Sequence, residues 1–221
     1  MGKITFKICI ALFLVIQICE AQVPVSEEPL HHKVFENSYV RVLDVHLVPG
    51  DTSLFHKHET PSVFIVLSNA KTGSELISDG SIAGAPVTYG NIWFDGFYTK
   101  PRIHRVWNND TIEFHVMDIE LLNKAYKDPG SPIEQRSIHM LFNEKPVRSY
   151  SCLLNAHSTI NINDRNGPLL VICLSNSDGK VSVNKKIFKQ KGDFIFLPGG
   201  TKSSFINTGI TDAQLAILEL K

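Results

Sequence analysis

Net charge, cysteine and helical periodicity are all scarce in this chain, and each scarcity removes a class of protein. The 22 basic and 22 acidic side chains cancel, which argues against a nucleic acid or a membrane surface recognised by bulk electrostatics. Long stretches with apolar residues three and four apart are missing, so helices do not organise the chain. There is no Ser-His-Asp order, no Gly-rich phosphate loop and no paired-cysteine zinc pattern, so the common motif-borne chemistries are absent. The apolar stretch over residues 8–16 is too short, and too closely followed by Gln17 and Glu20, for a comfortable membrane span.

That stretch has another reading. Lys3 and Lys7 precede it and Cys19-Glu20-Ala21 follows it, the charged, apolar, small-residue order of a secretory signal peptide. Residues 1–21 are therefore expected to be cleaved after Ala21. The mature protein is expected to be exported, periplasmic or secreted, without a stable membrane span. Of the four cysteines only Cys152 and Cys173 would then remain. An oxidising compartment allows them one disulfide, but both sit in apolar runs where free cysteine packs as a small hydrophobe. The Cα separation decides, since bonded pairs lie about 4.4–6.8 Å apart.

What is present reads as β-structure. Residues 22–33 look like a polar, extended N-terminal arm in which His31 and His32 are read as solvated, with capping of a barrel mouth or binding of stray metal as the alternatives. Residues 34–48, 56–58, 62–67, 90–97, 104–107 and 112–122 read as strands, broken by turn-forming residues such as Pro49-Gly50-Asp51. Residues 124–136, with Lys-Asp-Pro-Gly-Ser-Pro, read as a linker. Beyond it the pattern restarts at an offset of 107 residues: Arg41/Arg148, Leu47/Leu154, Thr52/Thr159, Pro61/Pro168, Ile65/Ile172 and the Leu-Ser-Asn at 67–69 and 174–176 coincide without a gap. This is the mark of an internal duplication, with one copy over residues 34–123 and the other over 137–221.

Chemistry concentrates in the first copy. In an extended segment residues i and i+2 share a face, so His56 and His58 can aim at one point. His104 lies further on, in Pro101-Arg102-Ile103-His104-Arg105-Val106-Trp107-Asn108. Three imidazoles meeting inside a barrel suit a first-row transition metal. The second copy has Asn163 and Arg165 at the 107-residue offset from His56 and His58, and Ser203 in place of His104 when Asn207 is matched to Asn108.

These residues resemble the cupin superfamily. Its first motif has a glycine, five residues and His-x-His, which Gly50 and His56-Lys57-His58 match. Its second ends in a histidine, three residues and an asparagine, matched by His104 and Asn108. The second copy keeps Gly192, Pro198-Gly199-Gly200 and Asn207 without the histidine. The resemblance implies an all-β protein of two tandem jelly-roll β-barrels, the C-terminal one degenerate. The glutamate ligand of the family falls at Ser62 or Val63 and is missing, with Glu59 its only neighbouring carboxylate. The ligand set left resembles the three-histidine sites of some cupin dioxygenases. It implies one divalent transition metal (Fe, Zn, Mn, Ni or Cu) and a small organic molecule in the N-terminal barrel.

Around that centre, Tyr98 and Arg102 are candidates for binding a ligand oxygen, and Asn108, His46 and His115 for supporting the site. Two other functions stay open: a ligand-binding or structural cupin without catalysis, and a metal-dependent isomerase or lyase whose base would be His46, His115 or Tyr98. A homodimer is the expected assembly.

Overall fold

The computed structural model describes residues 22–221, and the expected signal segment lies outside them. The first half contains β1 (Val23–Pro24), a single 3-10 turn (Val25–Glu27), β2 (His31–Glu36), β3 (Val40–Leu47), β4 (His56–His58), β5 (Ser62–Val66), β6 (Ala70–Leu76), β7 (Ile82–Val87), β8 (Ile92–Asp95), β9 (Arg102–Asn108) and β10 (Phe114–Leu121). These form two facing sheets, ordered β1-β4-β9-β6-β7 and β2-β3-β10-β5-β8. The second half contains β11 (Ile138–Asn143), β12 (Val147–Leu154), β13 (Ser158–Ile162), β14 (Leu169–Cys173), β15 (Val181–Val183), β16 (Lys186–Phe188), β17 (Phe194–Leu197), β18 (Ser203–Asn207) and β19 (Ala213–Leu220). Its sheets run β11-β12-β19-β14-β17 and β13-β18-β15-β16.

The duplication extends to irregularities that a β-rich composition alone would not repeat. A bulge between Lys33 and Phe35 in the β2–β3 pairing recurs 107 residues later between Met140 and Phe142. Arg41 faces Glu120 across β3 and β10, with Nη1 2.7 Å from Oε2. Arg148 likewise faces Glu219 across β12 and β19, where Arg165 Nε adds a second contact at 2.7 Å. Buried carboxylates paired in this way cost several kcal/mol if one partner is removed.

One face of each large sheet lines its own barrel. The other face packs against the neighbouring barrel, with Val42, Ile65, Met117 and Ile119 meeting Leu170, Ile172, Ala216 and Leu218. All eight residues of β10 are consequently buried, and simple apolar–polar alternation vanishes there. Inside the second barrel Tyr150, Phe188 and Phe205 are fully buried and fill the space.

One expectation is corrected and one open alternative is decided. Residues 22–33 do not form a free arm: β1 pairs in parallel with β4, and His31 opens β2 in the opposite sheet. An edge strand as short as β4 leaves backbone groups unpaired, and β1 supplies the partner. The disulfide is absent, since Cys152 and Cys173 are both free and buried. Both are in register with Leu215, from opposite sides of β19. Two inter-strand spacings, about 9–10 Å, separate them, beyond the reach of a bond.

Candidate metal centre

His56 and His58 enter the barrel because of one extra residue. Thr52 bridges Trp107 and His56 pairs with His104, so Ser53, Leu54 and Phe55 stand opposite only Arg105 and Val106. In the second barrel Thr159 pairs with Ile206 and Ile162 with Ser203, two residues opposite two. A bulge of this kind inverts the faces of everything after it. Without it, Phe55 and Lys57 would occupy the inward positions. The ungapped match of His56 to Asn163 therefore slips by one in space: Ile162 and Ser203 stand where His56 and His104 do.

The three imidazoles meet. Their available ligand nitrogens all lie within 4.8 Å of one another, and Nε2 of His58 is 3.1 Å from Nε2 of His104. Ligands about 2.0–2.1 Å from a common metal at right angles are separated by about 3 Å, so this pair already has the spacing of adjacent ligands. His56 Nδ1–H donates to the Leu54 carbonyl at 2.9 Å, which leaves its Nε2 as a free lone pair, buried without a partner. Burial, and then the His31 charge, lowers the His56 pKa to about 4. Burial and the His56 charge lower that of His104 to about 3, and His58 lies well below its ordinary value for the same reasons. The three are thus neutral near pH 7, the form that ligates metal.

Sequence reading missed three supporting groups. Asp118, fully enclosed on β10, places Oδ2 3.5 Å from Nδ1 of His58. At that distance no hydrogen bond forms, and His58 Nδ1 and both Asp118 oxygens are buried without partners; a small shift would make the carboxylate–imidazole contact that orients metal-binding histidines. Burial, and then the charge of Glu120, pushes the Asp118 carboxyl up to about 8, and a cation on His58 would draw it down again. Glu28 accepts from Leu30 N and Leu54 N at 2.7 and 3.1 Å, so the 3-10 turn braces the loop whose carbonyl holds His56. The same carboxylate accepts from His31 Nδ1 at 2.6 Å. His31 is buried, not solvated, and its ring centroid lies 4.6 Å from that of His56. An acid inside the apolar run Val116-Met117-Asp118-Ile119 was the one available signal; nothing local marked Glu28 or His31.

A cavity of about 180 Å³ opens beside the triad, with His31, Phe64, Trp93, Arg102, Phe114 and Asp118 among its walls. Phe64 and Trp93 stack at 5.0 Å. Arg102 reaches this wall while pairing with Asp95 at 2.7 Å. Tyr98 does not line it: the side chain is 57% exposed on the 96–101 loop. Asn108 is spent on a turn, with Nδ2 donating to Leu47 O and Ile112 O at 2.8 Å and Oδ1 accepting from Asp110 N. Asn207 repeats this pattern in the second barrel.

His46 and His115 are corrected too. Alternation along β3 and β10 sends Val45, Leu47, Phe114 and Val116 inward, so His46 and His115 face out of the barrel. With Tyr98 on the surface, none of the three proposed isomerase bases is in the cavity. Glu59 turns away to pair with Lys57 at 2.8 Å, and Ser62 Oγ donates to Thr60 O, so neither replaces the missing glutamate.

No family model matches the chain, and no curated protein matches it. Solved structures do. YhhW from Escherichia coli aligns over 88% of this chain and 89% of its own, at 11% identity and a TM-score of 0.60. A cupin 2 conserved barrel domain protein from Leptotrichia buccalis covers 86% and 88%, at 11% identity and 0.53. A salicylate 1,2-dioxygenase from Pseudaminobacter salicylatoxidans covers 82% and 71%, at 12% identity and 0.57. Likeness at such low identity speaks to fold. The chain has the cupin fold twice over, and its N-terminal barrel carries the three converging histidines.

Proposed function

We propose that the N-terminal barrel binds one divalent transition-metal ion through His56, His58 and His104 and uses it on a small organic molecule in dioxygen-dependent chemistry. The observation that carries this reading is the meeting of three imidazoles, two buried and one half-buried, at the wall of a cavity. Bound there, the metal would supply a Lewis acid or a redox partner for dioxygen. The protein's own groups do the rest. Leu54 orients His56, Asp118 stands 3.5 Å behind His58, His31 on Glu28 faces the occupant, and Phe64 and Trp93 wall the cavity.

Size narrows the occupant. A cavity of about 180 Å³ is smaller than the roughly 300–1,000 Å³ of drug-sized sites. It is close to the roughly 150 Å³ cavity known to hold benzene. A one-ring aromatic molecule is the size class that fits, and the dioxygenase named for salicylate supports that choice. Arg102, on the same wall, offers a cation to an acidic substituent in competition with Asp95.

Elemental analysis of mature protein purified without chelators or an affinity tag tests the metal. The His56→Ala/His104→Ala variant is expected to hold one equivalent fewer than wild type, with an unchanged near-ultraviolet circular dichroism spectrum. Oxygen consumption with monocyclic aromatic acids tests the reaction. Equal metal content in the two proteins, even after reconstitution, would move the assignment to a non-catalytic binding cupin.

A further inference from the structure

On the outward face of the same two strands that wall the cavity, Asp44, His46 and His115 converge. We propose that they form a second divalent-metal site, of the two-histidine, one-carboxylate kind, whose open positions face the groove between the barrels. His115 Nε2 is 2.7 Å from Asp44 Oδ1 and His46 Nε2 is 3.2 Å from Asp44 Oδ2. These spacings bracket the roughly 3 Å expected between adjacent ligands on one ion. The two histidines are directly opposite across β3 and β10, and their rings stack at 4.0 Å and 24°. Moderate side-chain rotation lets both nitrogens and one carboxylate oxygen share a metal.

Two further observations point the same way. His46 Nδ1 lies 3.1 Å from Glu113 Oε1. Without an ion both ring nitrogens of His46 stand against carboxylates; with one bound, donation from Nδ1 to Glu113 would free Nε2 to ligate, the usual support of a metal-bound histidine. The fold, moreover, does not require this cluster. The corresponding pair across β12 and β19 is Leu153 and Gln214, with Ser151 in place of Asp44, and the second barrel forms without any of the three donors. They are an addition specific to the first copy.

The surroundings have room for a ligand. A groove of about 570 Å³ runs between the barrels, with Lys186, Asp193 and Phe194 on its far side. Gly192, at φ +88°, brings the second barrel against His115: a Cβ there would sit 3.4 Å from Cε1. Nitrogen and carboxylate donors together suit Zn(II), Fe(II), Mn(II), Ni(II) or Cu(II).

Isothermal titration with Zn(II) of the His56→Ala/His104→Ala protein, at pH 7.5 and 150 mM salt, isolates this site from the one in the barrel. One equivalent is expected with Kd below about 10 μM. Adding His46→Ala, at a half-exposed position that the core does not need, should abolish the uptake. Glu113→Gln should weaken it about 10-fold or more. Absent or millimolar binding, or binding that survives both His46→Ala and His115→Gln, overturns the proposal. Wild type separates the two sites: two equivalents falling to one in His46→Ala supports both. A single equivalent that His46→Ala removes supports this site and sinks the barrel reading.

Discussion

Acid should destabilise the metal-free protein through the barrel histidines, by an amount that follows from their burial. His56 is 1% exposed, and its pKa is lowered to about 4; that of His104 is lowered to about 3. In the unfolded chain both titrate near 6.5. Below that pH the unfolded state takes up protons that the folded state refuses, so stability falls as pH falls from about 6.5 towards the folded values. At pH 4.5 each histidine costs about 2.5 kcal/mol, at about 1.36 kcal/mol per unit. The rings are in contact, at 4.6 Å between centroids, so the pair together is expected to cost about 2.5–5 kcal/mol. The assay is urea unfolding with a chelator present, at pH 7.5, 6.0 and 4.5, for wild type and His56→Gln/His104→Gln. Carboxylates held low in the folded state, Asp44 and Glu28 among them, lose stability in the same direction but are common to both proteins and cancel in the difference. A double variant with the full wild-type loss between pH 7.5 and 4.5 refutes the reasoning.

Three other outcomes are expected. Asp118→Asn should lower metal affinity at the barrel site by about 10–100-fold, read by competition with a chromogenic chelator; unchanged affinity removes Asp118 from any orienting role. Burial raises the Cys152 and Cys173 thiols to about 12 and 11, so a thiol reagent should find none in native protein and two in urea without reductant. Finding none in urea would mean that they are bonded. We propose export from the signal pattern, so intact mass after secretion should correspond to a chain beginning at Gln22; retention of residues 1–21 in the exported protein would contradict the cleavage reading.

Much of the fold was legible because its signals are local or repeated. Turn residues, strand-like runs and the 107-residue offset need no three-dimensional information, and the fold found in the solved structures agrees with them. His56 and His58 could be read as one pair because a spacing of two puts side chains on the same face of any strand. Which face is inside could not be read. Alternation left open whether His46 and His115 line the barrel, because the packing of a second barrel puts apolar residues on both faces of β3 and β10, so composition no longer marks the inner one.

The candidate site divides along the same line. Sequence alone determined the donor types, their spacing and the loss of the histidines in the second copy, since each is a property of neighbouring residues or of one copy laid on the other. Only the tertiary structure decided that the extra residue among Ser53–Phe55 turns the His-x-His pair inward, and that β1 and the 3-10 turn bring Glu28 and His31 to the site. It also decided that Asp118 stands behind His58 and that Asp44, His46 and His115 form a cluster of their own. The physical reason is range. Spacing and alternation act over a few residues, whereas these arrangements depend on register between strands up to about 80 residues apart and on the close packing of two barrels.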